Sequence, residues 1–133
     1  MAFLIDTDII IYSLKGHEKV RAWFEANKNL PKFISAVTYG ELVYGAKKSP
    51  HPEKNLAAAR RIAGLFPVLE VTKDIMEFFG SLKAGLRSAG RTLDDMDLII
   101  AASAIHMNLT LVTNNDRHFS RVPDLLLENW RNV

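Results

Sequence analysis

Short apolar segments alternate with longer amphipathic segments along the whole chain. The apolar segments have the length and composition of buried strands, whereas the longer segments repeat their apolar residues at helical spacing. The predicted strands cover residues 2–5, 33–37, 68–71 and 109–113, and the predicted helices cover residues 17–29, 38–48, 53–66, 73–89 and 94–106. Strands that alternate with helices favour a parallel sheet with helices on both faces. We therefore predict an α/β fold with a mainly parallel central sheet.

The length and composition are those of one globular domain. With 133 residues, of which 48% are hydrophobic and 24% charged, the chain has enough apolar side chains for one packed core. The sequence shows no internal repeat, linker or low-complexity segment. We predict a single domain over residues 1–133.

The composition also excludes several kinds of chemistry. The chain has no cysteine, which excludes disulfides, thiolate metal sites and cysteine nucleophiles, so a metal ligand must be an oxygen or an imidazole. No apolar run approaches the roughly 20 residues that span a bilayer, and the first residues lack the basic leader of a signal peptide. We therefore expect a cytoplasmic protein without membrane contact. The net charge of +2 permits binding to a phosphate backbone but does not require it.

Two aspartates stand where a charged side chain needs an explanation. Asp6 follows the apolar residues 3–5 at the carboxyl end of the first predicted strand, the edge at which parallel sheets bind ligands. Turn formation or helix capping is its alternative role. Asp97 enters an almost wholly apolar helix, after Asp94 and Asp95 have already supplied a cap and first-turn acids. A carboxylate in such surroundings must be paired, protonated or metal-bound, because an isolated buried charge is too costly.

Glu41 and the segment after the last predicted strand each allow two interpretations. Thr38 and Glu41 match a capping box, in which the glutamate bonds to the backbone at the start of its own helix. Glu41 could instead point into a site, or do both. Thr113 ends the last predicted strand and Asn115 and Asp116 follow it, at the same predicted sheet edge as the first strand's aspartate. Such residues are common in turns, so their significance depends on convergence with the other acids.

An all-oxygen set of ligands selects hard cations such as Mg²⁺ or Mn²⁺. The histidines at positions 17, 51, 106 and 118 show no metal-ligand spacing, so we predict surface or boundary positions for them rather than catalytic ones. Lys83, Arg87 and Arg91 recur every four residues, and other basic residues are scattered elsewhere. Solvated charges of this kind would suit a nucleic-acid backbone if they surround the acidic site.

Four short motifs, taken in order, resemble those of the PIN-domain ribonucleases, and among them the VapC-type toxins of bacterial and archaeal toxin–antitoxin pairs. The motifs are residues 3–8, 34–42, 97–102 and 113–119, and the similarity extends to Trp130. Each motif is short, but four of them in the right order and spacing make a specific signal. The resemblance implies a three-layer α/β/α sandwich, a homodimer, and a cognate VapB-type antitoxin whose tail occupies the active-site groove.

The resemblance also implies the catalytic residues. The family acids that it places on this chain as metal ligands are Asp6, Glu41, Asp97 and Asp116. For the fourth ligand, counting back from the end of the last motif selects Asp116, whereas counting forward from its start selects Asn115, and Thr113 is an alternative through water. We expect these residues to hold one or two Mg²⁺ ions, with Mn²⁺ as a substitute, and water to hydrolyse RNA, leaving 5′-phosphate and 3′-hydroxyl ends.

Two other functions fit parts of the same pattern. Asp6 and Asp8 after an apolar strand are also typical of haloacid-dehalogenase-type phosphatases, in which the first aspartate is a nucleophile. The other alternative is a PIN-like module that binds RNA or a protein partner without cleaving it.

Overall fold

The computed structural model describes residues 1–132, and Val133, the last residue of the predicted domain, lies outside them. Within residues 1–132 there are five strands and seven helices. The strands are β1 (Phe3–Ile5), β2 (Lys32–Ser35), β3 (Val68–Leu69), β4 (Thr110–Val112) and β5 (Leu127–Glu128). The helices are α1 (Thr7–Leu14), α2 (Glu18–Ala26), α3 (Ala36–Lys47), α4 (Pro52–Leu65), α5 (Lys73–Ser88), α6 (Asp95–His106) and α7 (Asp116–Phe119). In the described part of the chain, no helix combines the length and hydropathy needed to span a bilayer.

The strands form one parallel sheet in the order β3-β2-β1-β4-β5. β1 lies at the centre, where Phe3 pairs with Lys32 of β2 on one side and with Thr110 of β4 on the other. The chain passes from β1 to β2 and β3, and later returns to the other side of β1 to form β4 and β5. The strand order therefore reverses beside β1. In open parallel sheets, ligands bind at the carboxyl ends of the strands at such a point.

Each face of the sheet carries its own apolar core. Successive side chains of a strand point to opposite faces. Phe3 and Ile5 accordingly pack with α1, α2, α3 and α4, whereas Leu4 packs with α5, α6 and α7. All three residues of β1 are fully buried. The layers are helix, sheet and helix, which confirms the predicted α/β/α sandwich.

The predicted strands and helices are confirmed, with boundaries shifted by a few residues, but the sequence did not predict α1, α7 or β5. Residues 9–11 of α1 are three consecutive isoleucines, which hide the helical period. α7 has four residues and β5 has two, so neither is long enough to show a period.

The predicted capping box at Thr38 is wrong. α3 begins at Ala36, and Ser35 caps it by accepting a hydrogen bond from the backbone N–H of Val37 at 3.0 Å. Thr38 lies inside the helix and is fully buried. Glu41 is therefore in the second turn of α3, beyond the backbone donors that a capping glutamate would satisfy.

Candidate active site

Asp6 joins the end of the central strand to the start of the first helix. Its backbone N–H donates to the carbonyl of Val112 at the end of β4 (2.9 Å). Its side chain caps α1, because Oδ1 accepts a hydrogen bond from the backbone N–H of Thr7 at 2.8 Å. The other oxygen, Oδ2, accepts from the hydroxyl of Thr113 at 2.8 Å. Asp6 thus has the helix-capping role and also contacts the residue that follows β4, while only 7% of its surface is exposed.

Burial and nearby negative charges raise the pKa of Asp6 to about 7. Burial is the largest cause, and the charge of Asp8 is the second. Asp97 raises the pKa further, whereas the hydrogen bonds from Thr113 and Thr7 lower it. The pKa of Asp8 is also raised, mainly by burial. A bound cation would offset both the lost hydration and the mutual repulsion of these carboxylates.

Glu41 reaches the same edge of the sheet from α3. Its Oε1 accepts a hydrogen bond from the hydroxyl of Thr7 at 2.7 Å, and that hydroxyl lies 3.1 Å from the hydroxyl of Thr38. Thr7 is the residue directly after Asp6. The buried Thr38 and the first turn of α1 therefore position the carboxylate of Glu41 next to the segment that carries Asp6.

Asp97 lies in the first turn of α6, where the helix dipole favours negative charge. Burial raises its pKa and Asp94 raises it further, whereas the neighbouring His118 lowers it. Nε2 of His118 lies 3.4 Å from Oδ2 of Asp97. We predicted a surface or boundary position for His118, and the structure places it half-buried against a predicted site residue. The short helix α7, hidden in a polar stretch of sequence, brings it there.

The segment between β4 and α7 is held in place by a network of side-chain hydrogen bonds. Oδ2 of Asp8 accepts from the backbone N–H of Asn114 at 3.0 Å. The side-chain amide of Asn129 lies within hydrogen-bonding distance of Asn114 and donates to Oδ1 of Asp116 at 3.1 Å. Asn115 donates its backbone N–H to the hydroxyl of Thr113 at 3.0 Å. Of the three residues predicted for the fourth position, Thr113 contacts Asp6, whereas Asp116 is exposed and contacts Asn129.

The donors at this edge suit a hard divalent cation. Each carboxylate has about four lone-pair positions, so the hydrogen bonds to Asp6 and Glu41 leave positions that a cation can use. Within residues 1–132, no three Asp, Glu or His side chains lie close enough together to hold a metal ion. The oxygen-rich donor set nevertheless fits Mg²⁺ or Mn²⁺.

Two basic residues, Lys83 and Arg121, lie beside the amino-terminal end of α6. Nζ of Lys83 lies 2.8 Å from Oδ1 of Asp95. Nη1 of Arg121 donates to the carbonyl of Thr92 at 3.2 Å. Both cations therefore lie near the end of α6 that carries Asp97, where Lys83 is paired with another acid.

The sequence as a whole matches a known family. The model of the PIN domain matches residues 3–125, and the chain belongs to the PIN-domain family. Within that family it belongs with the VapC ribonucleases. It is 36% identical to ribonuclease VapC2 of Haemophilus influenzae and 37% identical to the tRNA(fMet)-specific endonuclease VapC of Shigella flexneri, over 131 residues and 98% of each chain in both cases.

Solved structures agree with this assignment. The crystal structure of VapBC2 from Rickettsia felis bound to a DNA fragment from their promoter has a chain that matches with a TM-score of 0.90 and 32% identity, covering 98% of this chain and 99% of that one. The family resemblance drawn from the four motifs is thus confirmed. The match favours a nuclease over the haloacid-dehalogenase alternative.

Proposed function

We propose that this chain is a Mg²⁺- or Mn²⁺-dependent endoribonuclease and the toxin of a toxin–antitoxin pair. The observation that best supports this function is the environment of Asp6, a buried carboxylate with a raised pKa at the carboxyl end of the central strand. Asp8 and Asp97 add negative charge around it. The sequence similarity to VapC ribonucleases supports RNA as the substrate.

In the proposed mechanism, Asp6, Glu41 and Asp97 hold the cation, assisted by Asp116 or Asn115. When bound, a divalent cation supplies positive charge that activates a water molecule and stabilises the charge developing on the reacting phosphate. The protein's part is to hold the carboxylates in fixed orientations before the substrate arrives, which lowers the reorganisation needed during the reaction.

Two threonines provide that orientation. The hydroxyl of Thr113 donates to Asp6, and the hydroxyl of Thr7 donates to Glu41. Each bond uses one lone pair of the acid and leaves the others for the cation. Because water rather than the ribose 2′-hydroxyl attacks, we expect products with 5′-phosphate and 3′-hydroxyl ends, and a cyclic 2′,3′-phosphate product would contradict the mechanism.

We expect the antitoxin-free protein to cleave RNA from a pool of tRNA and rRNA in Mg²⁺ or Mn²⁺ and not in EDTA. Asp97→Asn keeps the shape of the side chain but removes its charge, and we expect it to reduce the cleavage rate at least about a hundredfold, since losing a metal ligand removes several kcal/mol of transition-state stabilisation. Gel analysis of end-labelled RNA measures both effects. Asp74→Asn, at an exposed acid on α5, is the matched control and should cleave normally.

Two outcomes would count against the nuclease. Cleavage that persists in EDTA would show that the metal is not needed. A folded wild type that binds RNA but does not cleave any member of the pool, even in Mn²⁺, would favour the alternative of a binding module.

We also propose that the tail of a VapB-type antitoxin occupies the groove between α1, α3 and α4. This groove has a volume of about 760 Å³, and Glu41 is among the residues that line it. Its wall includes Ile11 and Leu14, which are exposed apolar side chains, and the cation of Lys15. An antitoxin segment in this groove would cover Glu41 and block the site. The homodimer that the family resemblance implies stays a prediction.

Leu14→Glu tests the groove. Leu14 is 45% exposed, so the change should leave the fold intact while placing a charge in the apolar wall, and we expect the dissociation constant for the purified cognate antitoxin to rise at least about tenfold. Isothermal titration calorimetry measures the change. Leu126→Glu, at a residue that is 60% exposed and outside the groove, is the control. Equal affinities for the two variants would place the antitoxin elsewhere.

A further inference from the structure

We propose that Nε2 of His118 is a ligand of the metal centre, together with the carboxylate of Asp97. This inference rests on the proposed function, because it assumes that a divalent cation binds among the acids. It adds an imidazole to a site for which the sequence predicted oxygen ligands alone. It also assigns a role to a histidine that the proposed mechanism does not use.

The distance between the two side chains fits a shared ion. Nε2 of His118 lies 3.4 Å from Oδ2 of Asp97. In the structure this contact is an ion pair or hydrogen bond. Two ligand atoms at neighbouring corners of an octahedron with bonds of about 2.1 Å lie about 3 Å apart, so the pair has nearly the spacing that a shared cation requires. The side chains of His118 and Asp97 are 26% and 29% exposed, which leaves the pair accessible to an ion and to a substrate.

The fold holds the ring of His118 in this orientation. The next residue, Phe119, is fully buried in the core formed with α5 and α6. The rings of the two residues meet edge to face, with centroids 5.7 Å apart. Phe119 thus anchors α7 to the sheet while His118 faces α6. A ring fixed in this way loses less conformational freedom when it binds a metal.

Asp116, the acid predicted for the fourth position, has a different partner. Its Oδ1 accepts a hydrogen bond from the side-chain amide of Asn129 at 3.1 Å, and the residue is exposed. His118 is two residues further along α7 and contacts the α6 aspartate directly. His118 is therefore the α7 residue whose side chain directly contacts a proposed metal ligand.

An imidazole ligand changes which cation the site prefers. Mg²⁺ binds oxygen ligands almost exclusively, whereas Mn²⁺ also accepts the softer nitrogen of an imidazole. With His118 as a ligand, the site should bind Mn²⁺ more tightly than Mg²⁺. Replacing the imidazole with a carboxylate should shift the preference toward Mg²⁺.

The direct test is pulsed electron paramagnetic resonance of Mn²⁺ bound to the full chain. We expect the spin-echo modulation of the wild type to show a directly coordinated nitrogen, and the His118→Phe variant to lose it. Calorimetry should show the dissociation constant for Mn²⁺ rising about tenfold in His118→Phe, with a smaller change for Mg²⁺. His106→Phe, at an exposed histidine at the other end of α6, should keep both the nitrogen signal and the affinity.

A second variant keeps the test decisive if His118→Phe does not fold. His118→Glu places a carboxylate oxygen where the wild type has the imidazole nitrogen. We expect the affinity for Mg²⁺, relative to that for Mn²⁺, to be higher in this variant than in the wild type. Bound Mn²⁺ without a nitrogen signal in the wild type would overturn the role of His118 while leaving the metal centre intact. Absence of any Mn²⁺ binding by the folded wild type would instead contradict the metal centre in the proposed function, and the role of His118 with it.

Discussion

Asp6→Asn is expected to abolish RNA cleavage and, at the same time, to stabilise the metal-free protein. The substitution removes a proposed metal ligand, so the cleavage rate should fall about a thousandfold or more. It also removes a buried charge that is crowded by Asp8 and Asp97. An asparagine can keep the hydrogen bond from Thr7 through its oxygen and can donate to the hydroxyl of Thr113 through its nitrogen.

The stability effect depends on pH in a defined direction. The pKa of Asp6 is about 7 in the folded protein against 3.8 for an ordinary aspartate. Between these two values the folded state binds more protons than the unfolded chain, so the free energy of unfolding falls as the pH rises through this window. Above pH 7 the ionised Asp6 costs the metal-free protein about 2 to 4 kcal/mol. Below pH 4 both states are protonated and this cost disappears.

Thermal unfolding at several pH values measures this effect. At pH 8 without metal, Asp6→Asn should melt on the order of 10 °C above the wild type, and the difference should shrink toward pH 4. Mn²⁺ should raise the melting temperature of the wild type, because a ligand that binds only the folded state stabilises it, but should raise that of the variant much less. Asp74→Asn, at an exposed acid on α5, should follow the wild type. A variant less stable than the wild type at pH 8 would show that the charge of Asp6 is already compensated without metal.

The central part of the fold follows directly from the sequence. β1 is apolar throughout, β4 is apolar apart from Thr110, and both strands are buried on both faces of the sheet, which is typical of central strands in parallel sheets. The helices α2, α4 and α5 show a helical period because one face of each remains exposed. α1 shows no such period in the sequence, because Ile9, Ile10 and Ile11 are all apolar, although Ile9 and Ile10 are buried and Ile11 is 39% exposed. Only the capping geometry of Asp6 shows where that helix begins.

The sequence allowed candidate site residues to be named, but it did not allow their contacts to be predicted. The aspartates at positions 6 and 97 stand out locally, because each carboxylate adjoins an apolar segment. Glu41 does not, since its local pattern with Thr38 predicted a capping box that the structure lacks. Its contact with Thr7 joins residues that are 34 positions apart, and the bond between Thr113 and Asp6 spans 107 positions. Such partners become neighbours only when the sheet brings distant segments together.

Trp130→Ala is expected to have the largest effect on stability. Trp130 is fully buried, stacks on Trp23 with ring centroids 6.0 Å apart, and meets the rings of Phe3 and Phe24 edge to face at 5.3 and 5.0 Å. Its removal should lower the free energy of unfolding by about 3 to 5 kcal/mol, a large part of the roughly 5 to 15 kcal/mol that stabilises a domain of this kind.

The same substitution should also affect the active site, because the residue before Trp130 belongs to its hydrogen-bond network. The amide of Asn129 donates to Asp116, so loosening this segment should disturb the loop after β4.

Urea unfolding measures the loss of stability, and Trp130→Phe is the control. The phenyl ring keeps most of the packing and loses the hydrogen bond from Nε1 to Glu128 (2.9 Å), so we expect a cost of about 1 to 2 kcal/mol. A free energy of unfolding of Trp130→Ala within about 1 kcal/mol of the wild-type value would show that the residues after β5 contribute little to the core. In that case, contacts of these residues could not hold the loop of Asp116 in place.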